Sequence, residues 1–121
     1  MGYKSKVAIK CEEKAYKMLR KTFQKVGRFP DKMYKDENEY ILYWEWIKWD
    51  TGFYDVATIE DTLNELDELK DIDNPESNGY GYKLVRIGES DNDIETRKNS
   101  WEIELYPVCK IDIHDGLKEI E

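Results

Sequence analysis

From Lys4 to Cys11 the chain alternates, with Lys6, Ala8 and Lys10 set against Val7, Ile9 and Cys11, which is the period of a half-buried strand. Glu12 and Glu13 then open a helix, where acids suit the positive end of the helix dipole. Ala15, Met18, Leu19, Thr22, Phe23 and Val26 recur at the spacing of one helical face, and Gly27 is a fitting stop. Phe29 to Asn38, carrying Pro30 and several charges, reads as a connection with room for a short extended piece at Met33-Tyr34. The stretch Tyr40 to Trp49 holds three of the four tryptophans and reads as one long strand, because β-branched and aromatic residues dominate it and no Gly or Pro interrupts it.

Along that strand Tyr40, Leu42, Trp44, Trp46 and Lys48 fall on one side, and Ile41, Tyr43, Glu45, Ile47 and Trp49 on the other. Both sets are largely apolar, which places the strand near the centre of a sheet. Beyond a turn at 50–54, Asp55 is a good N-cap for a second helix with Val56, Ile59, Leu63, Leu66 and Leu69 on its inner face and Glu60, Asp61, Glu65, Asp67 and Glu68 outside. Residues 71–79 are polar and rich in breakers, a loop. Tyr80 to Gly88 predicts a third strand and Trp101 to Tyr106 a fourth, with Trp101, Ile103 and Leu105 inward and Glu102 and Glu104 outward, the two forming a hairpin around an acidic segment at 89–100. Pro107 ends the fourth strand, and Val108 to Ile113 resumes it at an edge.

The order strand, helix, strand, helix, strand, strand predicts a single α+β domain over residues 1–121: a small, mainly antiparallel four-stranded sheet with two helices packed on one face. Two helices cover one face only, so the other is expected to be open, with Trp44 and Trp46 in the core beneath the helices.

Charge changes this picture. The net of −8 conceals an asymmetry: residues 1–35 carry eleven Lys or Arg against three acids, and residues 36–121 carry eight against twenty-four. In the first helix Lys14, Lys17, Lys21 and Lys25 form a basic ridge. Such a division makes the molecule an electric dipole if the halves occupy different surfaces, and folding that interleaves them cancels it. No apolar run approaches the roughly 20 residues that span a bilayer, and no signal-peptide core follows Met1, so a cytoplasmic protein without membrane association is expected. Cys11 and Cys109 sit in predicted strands and read as buried thiols.

Catalytic and metal signatures are weak. Asp91, Asp93, Glu95 and Glu102 match spacings of a calcium loop, but Thr96 stands where that loop needs Gly, and its flanks are strands, so no metal is expected. His114 is the one histidine, too little for a triad or a histidine cluster, and Gly79 and Gly81 precede no helix that could cradle phosphate. The chain therefore reads as a non-enzyme without cofactor. Two surfaces remain. Acids at Glu60, Asp61, Glu65, Glu68, Asp91, Asp93 and Glu95 suit a basic protein partner. Tyr43, Trp49 and Tyr82, with Lys48 and Arg86, suit a stacked small ligand such as a nucleotide, while net acidity opposes a long nucleic-acid track. A homodimer stays open.

The opening Met1-Gly-Tyr-Lys-Ser-Lys-Val7, the block Ile47-Lys-Trp49 followed by Ile59-Glu60 and Leu63, and Arg86-Ile-Gly-Glu89 followed by Asp93-Ile-Glu95 resemble a group of small proteins encoded in phages and prophages of bacteria. The resemblance implies a setting in which small acidic proteins without catalytic residues act as inhibitors of host defence, such as anti-CRISPR proteins. The expectation is an interaction protein that uses acidic side chains to occupy the basic groove of a nucleic-acid-handling bacterial defence effector. The alternative is a small-ligand binder, a sponge for a nucleotide signal.

Overall fold

The alternating segment near the start becomes the middle of the sheet. The computed structural model describes residues 4–36, 38–50, 52–70, 79–88, 93–100, 103 and 118–120. In chain order they form β1 (Ser5–Glu12), α1 (Glu13–Val26), β2 (Lys32–Asp36), β3 (Glu39–Ile47), α2 (Tyr54–Leu69), β4 (Tyr82–Ile87), β5 (Ile94–Lys98) and β6 (Lys118–Ile120). All pairings are antiparallel, in the order β5-β4-β1-β3-β2-β6. The fold is α+β with two helices, as the periodicities predict, but five strands of five or more residues and a three-residue sixth replace the expected four.

Two of the added strands correct particular readings. β2 lengthens the short extended piece expected at Met33-Tyr34 to half of the supposed connection, pairing Lys32 to Asp36 against Tyr43 to Glu39. β5 lies inside the segment taken for an acidic loop and makes the hairpin with β4. The predicted fourth strand at 101–106 and the edge segment at 108–113 lie outside the described residues, except Ile103, which is buried as expected.

α1 follows β1 directly and ends at Gly27, whose N–H reaches the Phe23 carbonyl at 2.9 Å and whose left-handed φ of 70° turns the Arg28 N–H back to the same carbonyl at 3.2 Å. α2 begins one residue before its expected cap: Phe53 is the N-cap, and Asp55 sits in the first turn, where it accepts a hydrogen bond from Arg28 at 2.8 Å. Both helices press on one face of the sheet. Leu19 and Phe23 of α1, Ile59, Leu63 and Leu66 of α2, and Val7, Ile9, Leu42, Trp44, Tyr82 and Leu84 of the strands are buried in one cluster. Each contributes roughly 1.5–3 kcal/mol by leaving water. Leu69, expected to extend the inner stripe, is exposed.

The aromatic strand departs from simple alternation at one place. Ser5 pairs with Ile47 and Val7 with Trp44, so Glu45 and Trp46 together oppose the single residue Lys6. This is a β-bulge, and it reverses the faces beyond it. Ile47 therefore turns into the core under the helices, while Trp46 is 51% exposed with Lys6 Nζ 5.2 Å from its ring centre. The expectation that Trp46 lies in the core is wrong for that reason. On the second sheet face Ala8, Ile41, Val85 and Ile87 are at most 5% exposed, while Trp46, Glu45 and Lys32 are exposed.

Candidate functional site

The α2 helix sorts its side chains sharply. With Val56, Ile59, Leu63 and Leu66 buried against the sheet, the residues at 61, 65 and 68 form a stripe on the solvent side at four- and three-residue steps. Asp61, Glu65 and Glu68 are all exposed and make no ion pair among the described residues. Glu60, one residue away, belongs to a different arrangement.

Two arginines gather most of the other predicted acids. Arg97 on β5 reaches across to α2, donating to Glu60 Oε2 at 2.6 Å, to Asp67 Oδ2 at 2.9 Å, to Asn64 Oδ1 and to the Tyr82 hydroxyl at 2.8 Å. Burial disfavours the charged guanidinium, but the bonds to Asp67 and Tyr82 outweigh it and raise its pKa. Tyr82 is fully buried, and its hydroxyl donates to Asp67 Oδ1 at 2.9 Å. That burial, and then the bond to Asp67, hold the phenol well above its ordinary pKa.

Arg86 on β4 makes a two-pronged pair with Asp93, at 2.8 and 3.2 Å, and lies 3.5 Å from Glu95. Hydrogen bonding to Asp93 raises the pKa of its guanidinium. Asp93 and Glu95 thus serve the hairpin between β4 and β5, and Asp91 lies outside the described residues. Of the seven acids expected to form a protein-binding surface, the structure brings Asp61, Glu65 and Glu68 together as an unpaired stripe. It ties Glu60, Asp93 and Glu95 to internal cations.

The five residues of the stacked-ligand reading do not converge. Tyr82 and Arg86 lie on the helix side of the sheet, the first buried in the core and the second bonded to Ser5 Oγ and Asp93. Tyr43 lies on the other side beside Ala8, Val85 and Ile87, and its phenol is raised in pKa by burial and then by the charges of Glu45 and Asp31. Lys48 is exposed beyond the end of β3. Trp49 folds back on Trp44, with ring centres 5.6 Å apart, and its Nε1–H donates to Glu60 at 3.2 Å.

The basic ridge of α1 lies directly beside the acidic α2. Thr22 and Thr62 hydroxyls meet at 2.6 Å, and on the solvent side of that contact a cleft of about 330 Å³ is lined by Lys21 and Lys25 from one helix and Asp61 and Glu65 from the other. Part of the charge division seen along the chain is thereby opposed across a groove. A second hollow, of about 320 Å³, opens on the far side of α1 among Tyr16, Lys17, Arg20, Lys21, Gln24 and Tyr40. Its tyrosines stack face to face, 3.9 Å apart and 3° from parallel, although α1 and β2 separate them along the chain. The lysines were visible as a ridge; the ring pair has no local signature.

Among the described residues there is no grouping of His, Cys, Asp or Glu suited to a metal ion, and Cys11 is a buried free thiol. Cys109 and His114 lie outside the described residues. No described helix is long and apolar enough to cross a membrane. Compared with protein-family models, curated proteins and solved structures, the chain finds no match in any of the three.

Proposed function

We propose that this chain is a non-enzymatic interaction protein whose α2 face binds a basic surface, and that its partner is a bacterial defence effector inhibited by occupation of its nucleic-acid groove. The supporting observation is the stripe Asp61, Glu65 and Glu68: exposed, unpaired among the described residues, and carried on a helix whose other side is locked into the core. Seven helical residues span roughly 10 Å. Neighbouring members of the stripe are about 5–6 Å apart, within the Debye length of about 8 Å at physiological salt, so adjacent charges act on a partner together.

Rigidity adds to this reading. A helix anchored by Ile59, Leu63 and Leu66 presents its carboxylates without a backbone ordering cost at binding, as a mimic of a regular phosphate row requires. Glu60 and Asp67 extend the negative field, although Arg97 neutralises much of their charge. The phage setting implied by the sequence resemblance supplies the class of partner.

A plating assay tests the proposal. Expressed in bacteria that carry a defence system acting on phage nucleic acid, the chain is expected to restore plaque formation against a susceptible system. The variant Asp61→Lys, Glu65→Lys, Glu68→Lys is expected to lose that effect while keeping its unfolding midpoint. Equal protection by the variant would show that the acidic stripe is not the binding surface.

A further inference from the structure

We propose that the hollow on the far side of α1 binds a phosphorylated small molecule, its phosphate held by Lys17, Arg20 and Lys21 and its organic part set against the Tyr16–Tyr40 stack. The site lies on another surface from the Asp61 stripe and stands or falls independently of it.

The hollow combines features that a solvated lysine ridge lacks. Its volume of about 320 Å³ falls at the lower end of the range for small-ligand sites, roughly 300–1,000 Å³, and exceeds what a bare phosphate fills. One wall is rigid: Tyr16 is only 6% exposed and its ring lies flat on Tyr40. Arg20 Nη1 donates to the Tyr16 hydroxyl at 3.5 Å, which sets the guanidinium beside the rings. Its other N–H groups have no acceptor among the described residues, so a forked donor is available to a phosphate oxygen pair.

The local charge is positive although the molecule is acidic. Lys17, Arg20 and Lys21 line the hollow, and Lys35 Nζ stands 5.6 Å from the Tyr40 ring centre at its margin. Glu13 lies 3.6 Å from Lys17 Nζ and offsets part of this charge. Lys21 also borders the cleft with α2, where Asp61 and Glu65 face it, so Lys17 and Arg20 carry most of the anion binding. A polyanion is disfavoured by the net charge of −8, whereas a compact anion meets only the local field.

The test is a ¹⁵N–¹H correlation titration of the full chain with adenosine 5′-diphosphate, inorganic pyrophosphate and adenosine. The two phosphates are expected to give saturable shifts centred on the amides of Tyr16, Lys17, Arg20, Lys21 and Tyr40, and adenosine none. Arg20→Gln is expected to weaken the diphosphate about tenfold, the loss of one charged hydrogen-bonding partner. Lys25→Gln, on the same helix but outside the hollow, should change it less than about twofold, the size of a screened surface charge. Spectral dispersion reports that each variant is folded. Absence of saturation by either phosphate at millimolar concentration, shifts centred away from α1, or equal weakening by the two variants overturns the proposal.

Discussion

Replacing Arg97 by Met removes the guanidinium that joins an edge strand to a helix while keeping most of the aliphatic stem. Arg97 is 26% exposed, and its partners Glu60 and Asp67 are 19% and 42% exposed. Exposed ion pairs contribute about 0–1 kcal/mol, and breaking a buried pair costs about 3–5 kcal/mol. The Glu60 arm lies toward the buried limit and the Asp67 arm toward the exposed one. The bond to Tyr82 also loses its donor deep in the core, so the expected loss is about 2–3 kcal/mol. With a urea slope of about 1–3 kcal/mol per molar for a domain of this size, the unfolding midpoint should fall by roughly 0.7–3 M at unchanged slope. Because the residues form one network, Arg97→Met and Asp67→Asn should couple by about 0.5–3 kcal/mol in a double-mutant cycle. A loss below about 0.5 kcal/mol, typical of an unremarkable surface site, or strict additivity in the cycle would refute the view that Arg97 clamps β5 to α2.

Trp44 is almost fully buried, and its Nε1–H has no partner among the described residues. Trp44→Ala should cost about 3–5 kcal/mol, whereas Trp44→Phe should cost less than about 1.5 kcal/mol, since removing an unpaired donor offsets part of the lost packing; chemical denaturation distinguishes them. The Tyr82 phenol has a folded-state pKa raised above its unfolded value of about 10, so its contribution is complete below pH 10 and is lost as pH rises further. Wild-type stability should therefore decline more steeply than that of Tyr82→Phe above about pH 10, and parallel curves would contradict the assignment. A Cβ at Gly81 would collide with Glu12 Oε1 and crowd Ser100 and Ile103, so Gly81→Ala should lower stability by about 1–3 kcal/mol, measured by the shift in urea midpoint.

The sequence made some elements plain and concealed others for physical reasons. Each helix buries one stripe, and β1 and β4 bury apolar residues on both faces, so their hydrophobic content and spacing are enough to find them. β5 is an edge strand with Ile94, Glu95, Thr96 and Lys98 exposed, so no apolar alternation marks it and its acids suggest a loop. The bulge opposite Lys6 depends on how β1 and β3 pair, which neither strand reveals alone, and it decides that Ile47 and not Trp46 is core. In the candidate surface, the acidic stripe of α2 could be read directly from helical spacing. Which carboxylates are available could not, because Arg97 finds Glu60 and Asp67 from 37 and 30 positions away, and such pairings follow from topology. The aromatic strand first suggests a ligand platform, but its rings do not converge, and a hollow that combines cations with stacked rings lies instead between α1 and β3.

Competition in a reconstituted reaction tests the central claim most directly. A purified defence nuclease that the chain inhibits is assayed on DNA at several DNA and salt concentrations, alongside the folded variant Asp61→Asn, Glu65→Gln, Glu68→Gln. Occupation of the basic groove by the α2 stripe predicts an apparent inhibition constant that rises with DNA concentration and with salt, and a variant weakened by about a hundredfold, roughly 1 kcal/mol for each lost charge. Inhibition that is independent of DNA concentration, or a variant within about twofold of wild type, contradicts the account.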